Sequence, residues 1–284
     1  MTIDSSSKKF IVSGCSFSTP PSWPDRSWPI SFMAHLPDYT LINKSAMSRG
    51  NGLISRAVIY EVQNQLQNGV LPEDILVAVQ WSGWDRHENH ISDLSLLPSS
   101  DEQVRPISKR VQGFITGPCA RNQWIQGFVD SNINPDGDLA YTLDGTGVDV
   151  VIQDSGNYIN SWEIMNHHWD TKNSKLYYSS MLYSDTGKLI ESLEHILRTQ
   201  WFLEKHNIKY FMTTMIKFPD SCDETEHLFQ MIDKSKFLPV SGMFEWAQST
   251  GLPLRDDDHP SFEQNSIFAD TVVLPFLINT VTSS

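Results

Sequence analysis

Short apolar runs bounded by turn residues recur along this chain, the pattern of strands buried on both faces of a parallel sheet. The first is residues 10–12 (Phe-Ile-Val), ended by Ser13-Gly14. Residues 40–42 form a second, residues 75–80 (Ile-Leu-Val-Ala-Val-Gln) the clearest, and residues 208–215 a later one. Between them the periodicity becomes helical, over residues 28–35 and again over 53–66, where Leu53, Ala57, Ile59 or Tyr60 and Val62 or Gln63 recur. The strongest helix spans residues 189–205, where Leu189, Leu193, Ile196, Leu197 and Trp201 read as one apolar stripe leading into the strand at 208. Near the C-terminus, Ser261 and Gln264 have capping-box spacing ahead of Ile267, Phe268, Val272 and Val273, so a helix is expected just after Pro260. Strands alternating with helices define the α/β class, here a three-layer α/β/α sandwich around a central parallel sheet.

Residues 86–175 break that rhythm. They are rich in Asn, Asp, Gly and Ser, with turn signals at Pro135-Asp136-Gly137 and Asp144-Gly145-Thr146-Gly147 and a short strand expected over 148–152. The segment is too long for a simple loop. It is read as an insertion on the sheet's edge or near the rim of the active site, within a single domain spanning 1–284.

Charge narrows the partners. With 34 acidic and 21 basic side chains the formal charge is −13, which repels phosphate backbones and anionic lipid. Lys8-Lys9 and Lys109-Arg110 are only pairs, so no nucleic acid and no membrane surface is expected as a partner. No apolar run approaches the roughly 20 residues of a bilayer span, and nothing in the first thirty residues reads as a secretory signal, so a cytoplasmic location is expected. Cys15, Cys119 and Cys222 are odd in number and widely spaced, which argues for a reducing compartment rather than a disulfide framework. His87-Glu88-Asn89-His90 and His167-His168 with Asp170 lack standard zinc spacing and are read as solvated or hydrogen-bonded, so neither metal nor organic cofactor is expected.

Two motifs carry candidate chemistry. Gly14-Cys15-Ser16-Phe17-Ser18 falls where the first strand should end, and open α/β sheets bind ligands outside the carboxyl ends of their strands. In isolation it is a serine in a turn. Cys15, next to that serine, is expected to point away from it into the sheet as a small structural residue. Asp256-Asp257-Asp258-His259-Pro260-Ser261 places Asp256 and His259 three apart on a turn, where the carboxylate can orient the imidazole. In isolation it is an acidic loop whose charges favour the positive end of the following helix.

In this chain order the two motifs resemble the blocks of the SGNH hydrolases, the GDSL esterase/lipase superfamily. The first block, GDSxS, is matched by Gly14 to Ser18 with Cys15 in place of Asp, and the last block, DxxH, by Asp256 and His259. The likeness is strongest to a phage-associated and environmental subgroup whose first block reads GCSF and whose strand ends in a QWS-type motif, as in Gln80-Trp81-Ser82. The resemblance implies an SGNH/flavodoxin-like sandwich and a serine hydrolase with Ser16 as nucleophile, His259 as base and Asp256 as its orienting partner. It implies an oxyanion-hole donor at Ser48 or, alternatively, Gly50. The family's third-block Asn is missing, and Ser82, a backbone amide or Asn51 are the candidates to replace it.

The implied substrate is an acyl ester on a small molecule or a glycan, including O-acetyl groups. Among the nine tryptophans, Trp201 is assigned to the core. Trp81 and Trp84, Trp23 and Trp28, and Trp124, Trp162 and Trp169 are candidates either for core packing or for stacking on sugar rings. The alternative reading is a non-catalytic binding or structural protein, such as a virion component, that retains the fold with a degenerate site.

Overall fold

The computed structural model describes residues 8–18, 27–46, 49–84, 184–255 and 258–279 with side chains, and the backbone of 87–90, 140–141, 148–152, 161–165 and 280–281. Along the chain run β1 (Lys8–Ser13), α1 (Trp28–Phe32), β2 (Tyr39–Asn43), α2 (Asn51–Gln67), β3 (Ile75–Trp81), β4 (His87–His90), β5 (Ala140–Tyr141), β6 (Val148–Ile152) and β7 (Ser161–Met165). These are followed by α3 (Asp185–Lys205), β8 (Lys209–Thr214), α4 (Glu226–Met231), α5 (Met243–Ser249), α6 (Phe262–Phe268), a π-helical turn (Ala269–Val273) and α7 (Leu274–Val281). The chain divides into two compact units, one of Met1–Met47, Asn51–Trp84 and Ile190–Ser284, the other of Ser48–Gly50 and Asp85–Leu189.

The first unit is built on a four-stranded, all-parallel sheet in the order β2-β1-β3-β8. Phe10 is paired with Leu41 on one side and Leu76 on the other, and Ala78 with Phe211. β1 and β3 are interior strands, and β3 is buried along its whole length, as its unbroken apolar run requires. β2 lies at the edge and is only half-buried. Helices cover both faces, giving the three-layer α/β fold expected from the alternation of periods.

Alternate side chains of each strand serve the two layers. Phe10, Val12, Leu76, Ala78 and Phe211 pack with Trp28 and Phe32 of α1, and with Phe268, Ala269, Val272 and Val273 around the π-helical turn. Aromatic rings interlock here: Phe211 lies 6.5 Å from Phe10 and 6.1 Å from Trp28 between centroids, and Trp28 meets Phe268 edge-on at 6.0 Å. The opposite layer holds α2 and α3. Ser13 Oγ donates to the Ile54 carbonyl at 3.2 Å, pinning β1 to α2, and the hydroxyls of Ser55 and Thr199 meet at 2.7 Å between α2 and α3. Glu61 of α2 is nearly fully buried and accepts from Lys44 Nζ at 3.3 Å and Gln65 Nε2 at 2.6 Å, which fastens the segment after β2 to α2.

Trp201, expected in the core, is instead 52% exposed. At about 100° per residue it has rotated about a quarter-turn away from the centre of the stripe set by Leu189, Leu193, Ile196 and Leu197, and Leu203 fills the buried face instead.

The second unit contains an antiparallel sheet in the order β4-β7-β6-β5. The strand expected over 148–152 is β6, whose residues Val148 to Ile152 pair with Met165 to Ser161 of β7. The turns expected at Pro135-Asp136-Gly137 and Asp144-Gly145-Thr146-Gly147 lie outside the described residues. Among the described residues no helix is long and apolar enough to cross a membrane.

Phe211→Ala removes a fully buried ring from the centre of the α1/α6 layer. The expected loss is about 3–5 kcal/mol of unfolding free energy, read as a lower urea midpoint at unchanged slope.

Candidate active site

In the strand order 2-1-3, the chain leaves β1 toward one side of the sheet and later returns to its other side, so the carboxyl end of β1 is the topological switch point where such sheets bind ligands. Ser16 stands there. It opens a single 3-10 turn, Ser16–Ser18, closed by a hydrogen bond from Ser18 N–H to the Cys15 carbonyl at 3.0 Å. That bond does not engage the Ser16 N–H.

The turn is tight because Gly14 precedes it. A Cβ at Gly14 would lie 3.0 Å from both Gln80 Cβ and Ser18 Oγ, so the bare backbone lets β1 and β3 end side by side. Cys15 is fully buried within the aromatic core layer, the orientation expected of it, while Ser16 on the following residue is partly exposed.

His259 is brought to Ser16 from the other end of the chain. Its Nε2 lies 2.7 Å from Ser16 Oγ, a hydrogen bond between residues 243 positions apart. The imidazole also packs on the ring of Phe17, with centroids 4.8 Å apart. The backbone around His259 is looped back on itself: Asp258 N–H donates to the Arg255 carbonyl at 3.0 Å, and Arg255 N–H to the His259 carbonyl at 2.9 Å. Asp258 takes the left-handed conformation (φ 62°) that this loop demands, which aspartate tolerates better than most side chains.

Beyond it, Ser261 caps α6 with both halves of the expected capping box. Ser261 Oγ accepts from Gln264 N–H at 3.3 Å, and Gln264 Oε1 accepts from Ser261 N–H at 2.8 Å. Gln264 is wholly buried, and its Nε2 also donates to the Ala247 carbonyl at 2.8 Å, tying the start of α6 to the end of α5.

The other candidates fall differently. Asp256 and Ser48 lie outside the described residues, as do Trp23, Trp124, Trp169 and the pair His167-His168. Gly50 is buried in the residue before α2. Asn51, the first residue of α2, acts as a brace. Its Oδ1 accepts from Ser82 N–H at 2.8 Å and its Nδ2 donates to Ser192 Oγ at 3.0 Å, while Ser192 Oγ donates to the Trp84 carbonyl at 3.0 Å.

That brace consumes the backbone N–H of Ser82, whereas Ser82 Oγ is buried with no hydrogen-bond partner among the described residues. Trp28 and Trp81 are fully buried, so neither is a sugar-stacking platform. Among the described residues no group of three or more His, Cys, Asp or Glu side chains is arranged to hold a metal ion.

The structure adds residues that the motifs do not mark. Ser18 Oγ donates to Gln80 Oε1 and accepts from Trp28 Nε1 at 3.0 Å, and Gln80 Nε2 donates to Met243 Sδ at 3.1 Å. Asn43 Nδ2 holds the Ser18 carbonyl at 2.7 Å, so the serine turn is gripped from β2 as well as from β3. A polar Gln80 ending an otherwise apolar run was the one sequence signal for this network, since a buried amide must find partners.

Comparison with protein-family models finds none that matches this chain, and comparison with curated proteins likewise finds no match.

Because the added methyl would press on both Gln80 and Ser18, Gly14→Ala is expected to lower stability by about 1–3 kcal/mol. Urea denaturation followed by circular dichroism checks this.

Proposed function

We propose that this protein is a serine hydrolase of the SGNH type that cleaves acyl esters. The observation that carries the reading is the 2.7 Å contact between Ser16 Oγ and His259 Nε2 at the switch point of a parallel sheet. A serine hydroxyl is a weak nucleophile until a neighbouring base removes its proton, and a neutral imidazole within hydrogen-bond reach is such a base.

In the proposed reaction Ser16 Oγ attacks the ester carbonyl carbon while His259 Nε2 takes the hydroxyl proton. The carbonyl oxygen becomes an oxyanion, for which the Ser16 N–H at the start of the turn is the nearest backbone donor in sequence. The intermediate collapses, the bond to the alcohol oxygen breaks, and His259 returns its proton to that oxygen. Water then attacks the acyl-serine by the same route in reverse order, releasing the acid and restoring Ser16. Asp256 is assigned by the DxxH spacing to orient His259. The acidic balance of the chain favours a neutral or cationic ester over a phosphorylated one, and an acylated carbohydrate is a substrate class consistent with that charge.

The mutual commitment of Asn51 and the Ser82 N–H favours a second reading, in which the fold is kept for binding and ester cleavage is vestigial. Loss of one oxyanion donor typically costs on the order of 100- to 1000-fold in rate.

A fluorophosphonate probe and p-nitrophenyl acetate separate the two. The hydrolase is expected to be labelled at Ser16 alone. Ser16→Ala should abolish both labelling and turnover with its melting curve nearly unchanged. Turnover that survives the substitution, or an absence of labelling from about pH 6 to 9, rejects the reading.

A further inference from the structure

Ser16 and His259 belong to segments at opposite ends of the chain, and their 2.7 Å contact is too short-ranged to set its own geometry. We infer that Asn265, acting with Trp28, is a positioning residue that sets the separation of nucleophile and base; this rests on the hydrolase reading above.

The path is continuous. Asn265 Oδ1 accepts from the backbone N–H of Trp28 at 3.1 Å, while its Nδ2 donates to the carbonyls of Pro260 at 3.2 Å and Ser261 at 3.0 Å. From Trp28 the indole Nε1 reaches Ser18 Oγ at 3.0 Å, and Ser18 passes the bond on to Gln80. One end of the path is therefore the residue after His259, and the other is the turn that begins with Ser16. Trp28, Ser18 and Gln80 are fully buried and Asn265 is 6% exposed, so water does not compete for these bonds.

The chemistry selects an amide at this place. Trp28 N–H can only donate and the Pro260 and Ser261 carbonyls can only accept, which fixes the orientation of the Asn265 carboxamide and requires a donor and an acceptor on one carbon. Pro260 has no N–H, so its carbonyl is the only backbone hydrogen-bonding group by which the residue following His259 can be held. Asparagine is also a poor choice for a helix interior on propensity alone, and α6 nonetheless carries it at its fourth residue.

The test compares Asn265→Leu and Asn265→Asp with Trp28→Phe, which removes the indole donor along with part of the ring's volume, and with Leu203→Ala, a core change on α3 remote from the path. Because misplacement by about 1 Å costs on the order of 100-fold, Asn265→Leu and Asn265→Asp should lower kcat on p-nitrophenyl acetate by about 10- to 100-fold, with KM within about twofold. Trp28→Phe should give a smaller loss in kcat, and Leu203→Ala should leave kcat per folded molecule unchanged. The second readout is the nitrogen NMR signature of the His259 ring, which should shift in the Asn265 variants and not in Leu203→Ala.

A folded Asn265→Leu variant with wild-type kcat and wild-type ring resonances overturns the inference, as does a loss that merely tracks the folded fraction. If the wild-type protein neither turns over ester nor takes the fluorophosphonate label, the hydrolase reading has failed. The ring resonances then decide by themselves whether Asn265 places His259.

Discussion

A single hydrogen bond, from Ser16 to His259, joins residues 243 positions apart and sets the condition that the rest of the first unit has to meet. Such a bond is worth little by itself in net stability, about 1 kcal/mol. It exists only because burial elsewhere has already delivered both segments to the carboxyl end of β1. The aromatic layer of Phe10, Trp28, Phe32, Phe211 and Phe268 does this work, since it includes side chains from the strands, from α1 and from the C-terminal helix in one packed group.

Apolar packing brings segments together without fixing their register to a fraction of an ångström. Register comes from the buried polar groups. Ser18, Gln80, Asn265 and Gln264 are all shielded from solvent, and each has its hydrogen-bonding capacity spent on a neighbouring segment. A buried amide left without partners costs several times the net worth of the bond it makes. These groups therefore penalise small displacements that the aromatic layer alone would tolerate. Asn51 plays the same part between β3, α2 and α3.

Much of this was legible in advance, for local reasons. The apolar runs gave β1, β3 and β8, the helical periods gave α2 and α3, and Ser261 with Gln264 marked the start of α6, because strand and helix periods and capping are set by residues within a few positions of one another. Trp201 departs from this pattern: twelve residues beyond Leu189, the helix has turned it away from the core although its spacing continues the apolar stripe. Trp28, left open by its neighbourhood between core packing and sugar stacking, is a central core residue, because its surroundings come from Phe211 and Phe268, far away in sequence.

By itself the sequence determined the α/β class, the position of Ser16 at a strand end and the turn-then-helix that carries His259, all of which depend on local backbone preference and side-chain period. Only the tertiary structure decided that Ser16 and His259 meet, that Asn51 is a brace, and that Ser18, Gln80, Trp28 and Asn265 form one hydrogen-bonded path. Those outcomes depend on which buried polar groups find partners across segments distant in the chain, and no local pattern encodes that pairing.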